Sequence, residues 1–161
     1  MKKRVLCILC ILSLFVSCAH FDNNAGETDR ILLSAESLFK AIKEKDYPKT
    51  WTLLSLKSRD IIVNDVYKAV SKTGVSCKKK DINEDFAAGG LLSMAYWNSY
   101  LERFDPDSVL EESAWDMGKI KKDRAEIIVL HKKAQAPAIL QMFREDGVWK
   151  MGLEETFRSS R

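Results

Sequence analysis

The residue best placed for chemistry is a cysteine at the end of an apolar segment. A basic start (residues 2–4) precedes an apolar stretch (residues 5–16), and Cys18 follows two positions later. A helix over this stretch would rise about 18 Å, which falls short of a ~30 Å hydrocarbon core. The pattern is therefore typical of a secretory signal peptide and not of a membrane span.

The segment 14–18, Leu-Phe-Val-Ser-Cys, resembles the lipobox of bacterial lipoproteins. In that family a small residue, here Ser17, precedes a cysteine that is acylated before the signal peptide is removed. The resemblance implies a signal peptide of residues 1–17, cleavage after Ser17 and lipidation at Cys18. Ordinary signal-peptidase cleavage after Ala19 is the alternative.

Acyl chains such as palmitate on Cys18 would anchor the protein. One chain, at about 0.8 kcal/mol per buried methylene, binds only reversibly, whereas two or three chains hold a protein durably. Residues 18–28 contain few apolar side chains and are predicted to be a flexible tether. The residue directly after Cys18 is Ala19. In enteric-type bacteria, an aspartate at that position retains lipoproteins in the inner membrane. The resemblance thus implies a cell-envelope protein and, if the source is Gram-negative, a place on the periplasmic face of the outer membrane.

Charge and cysteine content narrow the classes of function. Three of the 26 Lys and Arg residues lie in residues 2–4, which leaves 23 to balance the 23 Asp and Glu residues. The domain therefore lacks a broad positive field for nucleic acid. Cys77 is the only cysteine after Cys18, and His, Cys and Asp nowhere show the spacing of metal ligands. The sequence predicts no nucleic-acid partner, no metal and no cofactor.

Hydrophobic periodicity predicts three helices in the first half of the domain. Apolar residues recur at helical spacing over residues 29–45. Pro48 fits the first turn of a short second helix that carries Trp51. Ser58 is predicted to cap a third helix over residues 59–72.

A basic loop (residues 75–81) and a long helix (residues 84–103) are predicted next. Gly89 and Gly90 interrupt the helical pattern, at a cost of about 1 kcal/mol each relative to alanine. Either the helix is broken there, or its backbone packs closely against another element. Beyond it, short runs rich in β-branched and aromatic residues predict four strands: residues 113–120, 124–133, 138–144 and 148–153. Helices followed by hairpins indicate an α+β fold, with N-terminal helices packed on a four-stranded antiparallel sheet.

Three stretches resemble the NTF2-like, or cystatin-like, superfamily: residues 35–47 with Trp51, residues 123–129 and residues 143–151. The likeness spans residues 29–157 and implies a curved sheet wrapped around helices to form a cone. It names a fold rather than an activity. It also leaves a homodimer through the sheet open.

Aromatic residues are expected either to line a hydrophobic pocket between sheet and helices or to fill the core. The pocket candidates are Trp51, Tyr67, Trp97, Trp115, His131, Phe143 and Trp149. A pocket would suit a small apolar ligand or a segment of an envelope partner protein. The first hypothesis is therefore a non-catalytic, lipid-anchored binding domain.

The alternative hypothesis is a periplasmic enzyme of the same fold. Such an enzyme would need a general acid or base inside the cone, and Asp116 and His131 are the candidates. Tyr67, Tyr96 and Tyr100 could also enter a pocket. No spacing in the sequence pairs any of these residues with a second catalytic group.

Overall fold

Seven helices and four strands form in the part of the chain that the structure, a computed structural model, describes: residues 23–158, with side chains from residue 26. The predicted signal peptide (residues 1–17) and Cys18 lie outside the described residues. The elements, in chain order, are α1 (Asn23–Lys43), α2 (Tyr47–Leu53), α3 (Leu56–Ser71), α4 (Lys79–Ala88), α5 (Leu91–Leu101), α6 (Pro106–Leu110), β1 (Ser113–Lys121), β2 (Arg124–His131), β3 (Ala138–Glu145), β4 (Val148–Gly152) and α7 (Leu153–Arg158).

The four strands form one antiparallel sheet in the order β1-β2-β3-β4, which is curved and does not close. Asp146 and Gly147 make the two-residue turn between β3 and β4, and both have positive φ (50° and 78°). The twist of such a turn matches that of the strands it joins. The predicted fold class, α+β with N-terminal helices packed on a four-stranded antiparallel sheet, is confirmed.

The core lies between one face of this sheet and the helices. On β2, Ala125, Ile127 and Val129 are buried, since alternate strand residues point to the same face. On α1, the fully buried apolar residues recur at helical spacing: Ile31, Ala35, Leu38 and Ile42. The two sets belong to one hydrophobic cluster. The core therefore comes from both halves of the domain.

Helix α1 begins at Asn23, earlier than the sequence indicated. Residues 23–28, predicted as part of the tether, are helical. Glu27 ties this end to the sheet, because its Oε1 accepts hydrogen bonds from Trp149 Nε1 (2.9 Å) and Arg144 Nη1 (3.2 Å). Within the described range no helix is long and apolar enough to cross a bilayer.

The start of α3 also differs from the prediction. Ser55, not Ser58, caps the helix, because Ser55 Oγ accepts a hydrogen bond from the Ser58 amide (3.0 Å). The predicted basic loop is shorter as well. Helix α4 begins at Lys79, and the Asp81 carboxylate accepts a hydrogen bond from the Lys78 amide (3.1 Å). Local side-chain bonds to orphan amides set both boundaries.

The glycine pair breaks the predicted long helix into α4 and α5. Gly89 ends α4 in the left-handed region, at φ +68°. A Cβ on Gly89 would lie 2.9 Å from the ring carbons of Pro48. Both predicted explanations therefore apply, a break in the helix and a close approach to another element.

Candidate functional site

A groove of about 490 Å³ lies between α5 and α7. We call it the α5–α7 groove. Its lining residues are Tyr96, Ser99, Tyr100, Arg103, Phe104, Leu153, Glu154, Phe157 and Arg158. Those from α5 and the turn after it follow the spacing of one helix face, and α7 supplies the opposite wall. The volume falls in the range of small-molecule sites, about 300–1,000 Å³.

Buried polar contacts hold α7 in place. The Glu155 carboxylate accepts hydrogen bonds from Ser55 Oγ (2.8 Å) and Ser58 Oγ (2.5 Å), two hydroxyls that are almost fully buried. Thr156 Oγ1 accepts a hydrogen bond from the Gln141 amide (2.9 Å), which lies where β4 ends beside β3. These bonds satisfy groups that would otherwise be buried without partners. The second wall of the groove is therefore fixed to α3 and to the sheet.

Two tyrosines place neutral hydroxyls in the groove. Tyr96 Oη donates a hydrogen bond to Glu154 Oε1 (3.2 Å). Burial raises the pKa of Tyr96 and of Tyr100 far above the usual value, and the negative charge of Glu154 adds to the effect. Both phenols therefore stay protonated at neutral pH. Among the described residues, the Tyr100 hydroxyl has no hydrogen-bond partner.

We expect the protein to lose stability in alkali because of these two groups. An unfolded tyrosine ionises near pH 10, whereas the folded pKa values of Tyr96 and Tyr100 are higher. Above about pH 10 the unfolded state thus binds fewer protons, and the free energy of unfolding falls as pH rises. Denaturant unfolding at several alkaline pH values should show a flatter decline for the Tyr96→Phe/Tyr100→Phe double variant. Equal slopes for the two proteins would contradict this expectation.

Two arginines border the groove, and they differ in whether the guanidinium group forms an ion pair. Arg158 donates to the Glu154 carboxylate and also pairs with Asp65. Arg103, in contrast, forms no ion pair with any other described residue. The Glu154 carboxylate is thus paired with Arg158, whereas the Arg103 guanidinium has no ion-pair partner in the described part of the chain.

A second cavity, of about 170 Å³, has two lining residues in common with the α5–α7 groove, Phe104 and Phe157. Its other walls are mostly apolar and come from the inner face of the sheet, from the connection between β2 and β3, and from α6. They are Ser108, Val109, Ser113, Val129, His131, Ala134, Ala136, Ala138 and Leu140. The second cavity therefore has a more apolar lining than the groove.

His131 lies at this second cavity, but both of its ring nitrogens are engaged. Nδ1 accepts a hydrogen bond from the Lys133 amide (3.1 Å), which assigns the proton of the neutral ring to Nε2. Nε2 lies 3.1 Å from a carboxylate oxygen of Glu112. Hydrogen bonds from Lys132 and then His131 lower the pKa of Glu112. The imidazole is thus held by its neighbours rather than poised as a base.

Asp116, the other acid-base candidate, lies on the opposite face of the sheet. Asp116 lies opposite Ile128 of β2. Side chains alternate along a strand, so Ile128 and Asp116 face away from the side that buries Ile127 and Val129. The Asp116 side chain is exposed and accepts a hydrogen bond from the Met117 amide (3.0 Å). The structure therefore does not bring Asp116 and His131 together.

Three of the predicted pocket tryptophans fill the core. Trp51, Trp97 and Trp149 are 2, 0 and 4 % exposed. The Trp51 ring packs on Phe86 with centroids 4.7 Å apart. Large side chains of this kind contribute most to stability when they are fully removed from water.

The remaining candidates are scattered. On α3, the ring centroid of Tyr67 lies 5.5 Å from the Nζ atom of Lys79. Trp115 is half-buried and donates from Nε1 to the Val109 carbonyl (2.8 Å). Phe143 lies on the outer face of the sheet, the face opposite to buried Met142. The seven predicted residues therefore do not share one pocket, because side-chain alternation and burial divide them between the core and both faces of the sheet.

Only some of the residues that line the α5–α7 groove could be predicted from the sequence. Tyr96 and Tyr100 were candidates, and Arg103 continues their helical spacing. The other wall was missed, because Leu153 reads as the end of the last strand and the residues after it carry no strong helical pattern. Six residues of helix give too short a signal to separate from a frayed terminus.

Comparison with known protein families, with curated proteins and with solved structures finds no significant match. Within the described side chains, no group of three or more His, Cys, Asp or Glu residues is arranged to hold a metal ion.

Proposed function

We propose that this chain is a lipid-anchored protein of the cell envelope, whose NTF2-like domain binds a small ligand in the α5–α7 groove without catalysing a reaction. The observation that carries the proposal is the groove itself. It has the volume of a small-molecule site and combines aromatic walls with a few converging polar groups, the usual composition of such sites.

The proposed cellular location rests on the sequence around Cys18. Four residues separate Cys18 from the start of α1 at Asn23. A fully extended chain spans at most about 3.6 Å per residue, so an acylated Cys18 would hold the domain within a few nanometres of the membrane surface. The periplasmic face of the outer membrane remains the proposed location.

The NTF2-like assignment rests on the order of elements. Helices come first and a curved antiparallel meander follows, with the core between them. This arrangement supports the resemblance found in three stretches of sequence, and it is shared by more than one α+β family. The family is therefore part of the proposal.

Binding is a better-supported function than catalysis. The nitrogens of His131 are both hydrogen-bonded, and Asp116 lies on the other face of the sheet. A small ligand also fits better than a partner protein, because the groove is concave whereas protein partners usually bury broad, flatter surfaces.

The groove is tested by filling it. Ser99 lines the groove and is exposed, so a Ser99→Trp variant should occupy the cavity without disturbing the core. We expect ligand-observed NMR with the full chain in lipid nanodiscs to detect small amphiphiles that bind the wild type and bind Ser99→Trp at least tenfold more weakly. A Ser71→Trp variant on α3 is the matched control. Equal binding by wild type and Ser99→Trp would place the ligand elsewhere and contradict the proposal.

The anchor is tested by the mass of the mature protein. We expect intact-mass analysis of the membrane fraction to find an N-terminus at Cys18 with acyl chains attached. An unmodified protein that begins at His20 would instead indicate cleavage after Ala19 and would exclude the lipid anchor.

A further inference from the structure

We infer that the ligand of the α5–α7 groove is a small monocarboxylate with an apolar body, whose carboxylate is held by Arg103 and Tyr100. This inference rests on the proposed function, since it names the chemical class that the same groove would select. Three features carry it: a guanidinium without an ion pair, a tyrosine hydroxyl without a hydrogen-bond partner in the lining of the same groove, and an apolar cavity that shares two lining residues with the groove.

The charge balance of the groove favours an anion. Glu154 is the negative group of the lining, and it is already matched by Arg158 and by the Tyr96 hydroxyl. A cationic ligand would have to displace these partners to reach the carboxylate. Arg103 has no acidic partner among the described residues, so an anion meets a free guanidinium without breaking an existing contact. Such a charge-assisted bond is roughly twice as strong as a neutral one.

Tyr100, near the end of α5, supplies a second donor. It precedes Arg103, which lies in the turn after α5, by three positions, and both residues line the groove. Its hydroxyl is unpartnered within the described part of the chain and stays protonated, because burial raises its pKa. A protonated phenol can donate to a carboxylate, whereas a tyrosinate would repel it.

The apolar body of the ligand would contact a separate, apolar part of the site. Phe104 and Phe157 line both the groove and the second cavity, whose walls are chiefly aliphatic. A hydrocarbon or aromatic body that packs against these two rings leaves water for an apolar surface. A carboxylate alone would not use this part of the site, and a long charged chain would be disfavoured there.

The experiment compares three probes that share one body and differ in charge: phenylpropanoate, phenylpropanol and phenylpropylamine. Each is titrated by calorimetry into the full chain in lipid nanodiscs, with empty nanodiscs as the blank. The variants are Arg103→Gln, Tyr100→Phe and the groove-filling Ser99→Trp. Arg124→Gln, which removes an exposed arginine from the sheet, is the matched control.

We expect phenylpropanoate to bind most tightly, and its affinity to fall roughly tenfold in Arg103→Gln and severalfold in Tyr100→Phe. Phenylpropanol, which has no charge, should bind Arg103→Gln as it binds the wild type, and Arg124→Gln should change nothing. Because Arg103 is exposed and lies outside the core, its variant should fold, and circular dichroism checks this.

The failures of the two proposals are distinguishable. If the alcohol or the amine binds as tightly as the carboxylate, and Ser99→Trp abolishes that binding, the carboxylate inference is overturned while ligand binding in the groove stands. If no probe binds, or Ser99→Trp leaves all binding intact, both the inference and the groove as the binding site are rejected.

Discussion

Replacing Cys18 by serine is expected to release the protein from the membrane and to block its maturation. Serine has the size of cysteine but no thiol, so the thioether to the lipid cannot form. Without acyl chains, only the apolar stretch of residues 5–16 is left to hold the chain in a bilayer. A helix of that length covers about 18 Å of a ~30 Å core. We therefore expect nearly complete loss of the acylated form and accumulation of a heavier precursor.

Cell fractionation and intact mass measure this outcome. The matched control is Cys77→Ser, which makes the same chemical change at a half-buried cysteine of the folded domain. Cys77→Ser should be processed and anchored like the wild type. If the Cys18→Ser protein is cut at the same site and stays as firmly bound as the wild type, the anchor lies elsewhere in the chain.

The largest effect on stability is expected from Trp51→Ala. The Trp51 side chain is 2 % exposed, lies on α2 and packs against Phe86 of α4. Truncating a buried tryptophan removes its transfer free energy and leaves a cavity, at a cost of about 3–5 kcal/mol. Since a domain of this size is stable by about 5–15 kcal/mol, the variant should lose a large share of its stability.

Chemical denaturation of both proteins checks this value. Leu91→Ala is the control, because Leu91 is apolar but 78 % exposed and should cost little. Trp51→Phe should lie between the two, since it keeps a ring against Phe86. A similar midpoint for Trp51→Ala and Leu91→Ala would show that α2 does not anchor the core as its burial indicates.

The sheet was predictable from the sequence because its signals are local. Apolar residues alternate along β2, and Asp146-Gly147 provides the positive φ angles that the last turn needs. The strand bounds agree with the predicted ones to within two residues. Helices α1 and α2 were predicted for the same reason, since periodicity and Pro48 act within one or two turns of helix.

Helix boundaries were harder to predict where distant residues decide them. The start of α1 is held by Trp149 and Arg144, which lie more than one hundred positions away in the sequence. Ser58 reads as a helix cap, yet its hydroxyl donates to Glu155 from the C-terminal helix. A local pattern cannot reveal bonds between the two ends of a chain.

The sequence by itself determined the fold class, the neutral charge of the domain and the proposal of a lipid anchor, because each depends on composition or on short-range spacing. Only the tertiary structure decided where a ligand could bind. It buried Trp51, Trp97 and Trp149, turned Asp116 and Phe143 to the outer face of the sheet, and brought α7 beside α5 to form the groove. The physical reason is that a cavity arises where distant segments meet imperfectly, and that mismatch is a property of packing in three dimensions.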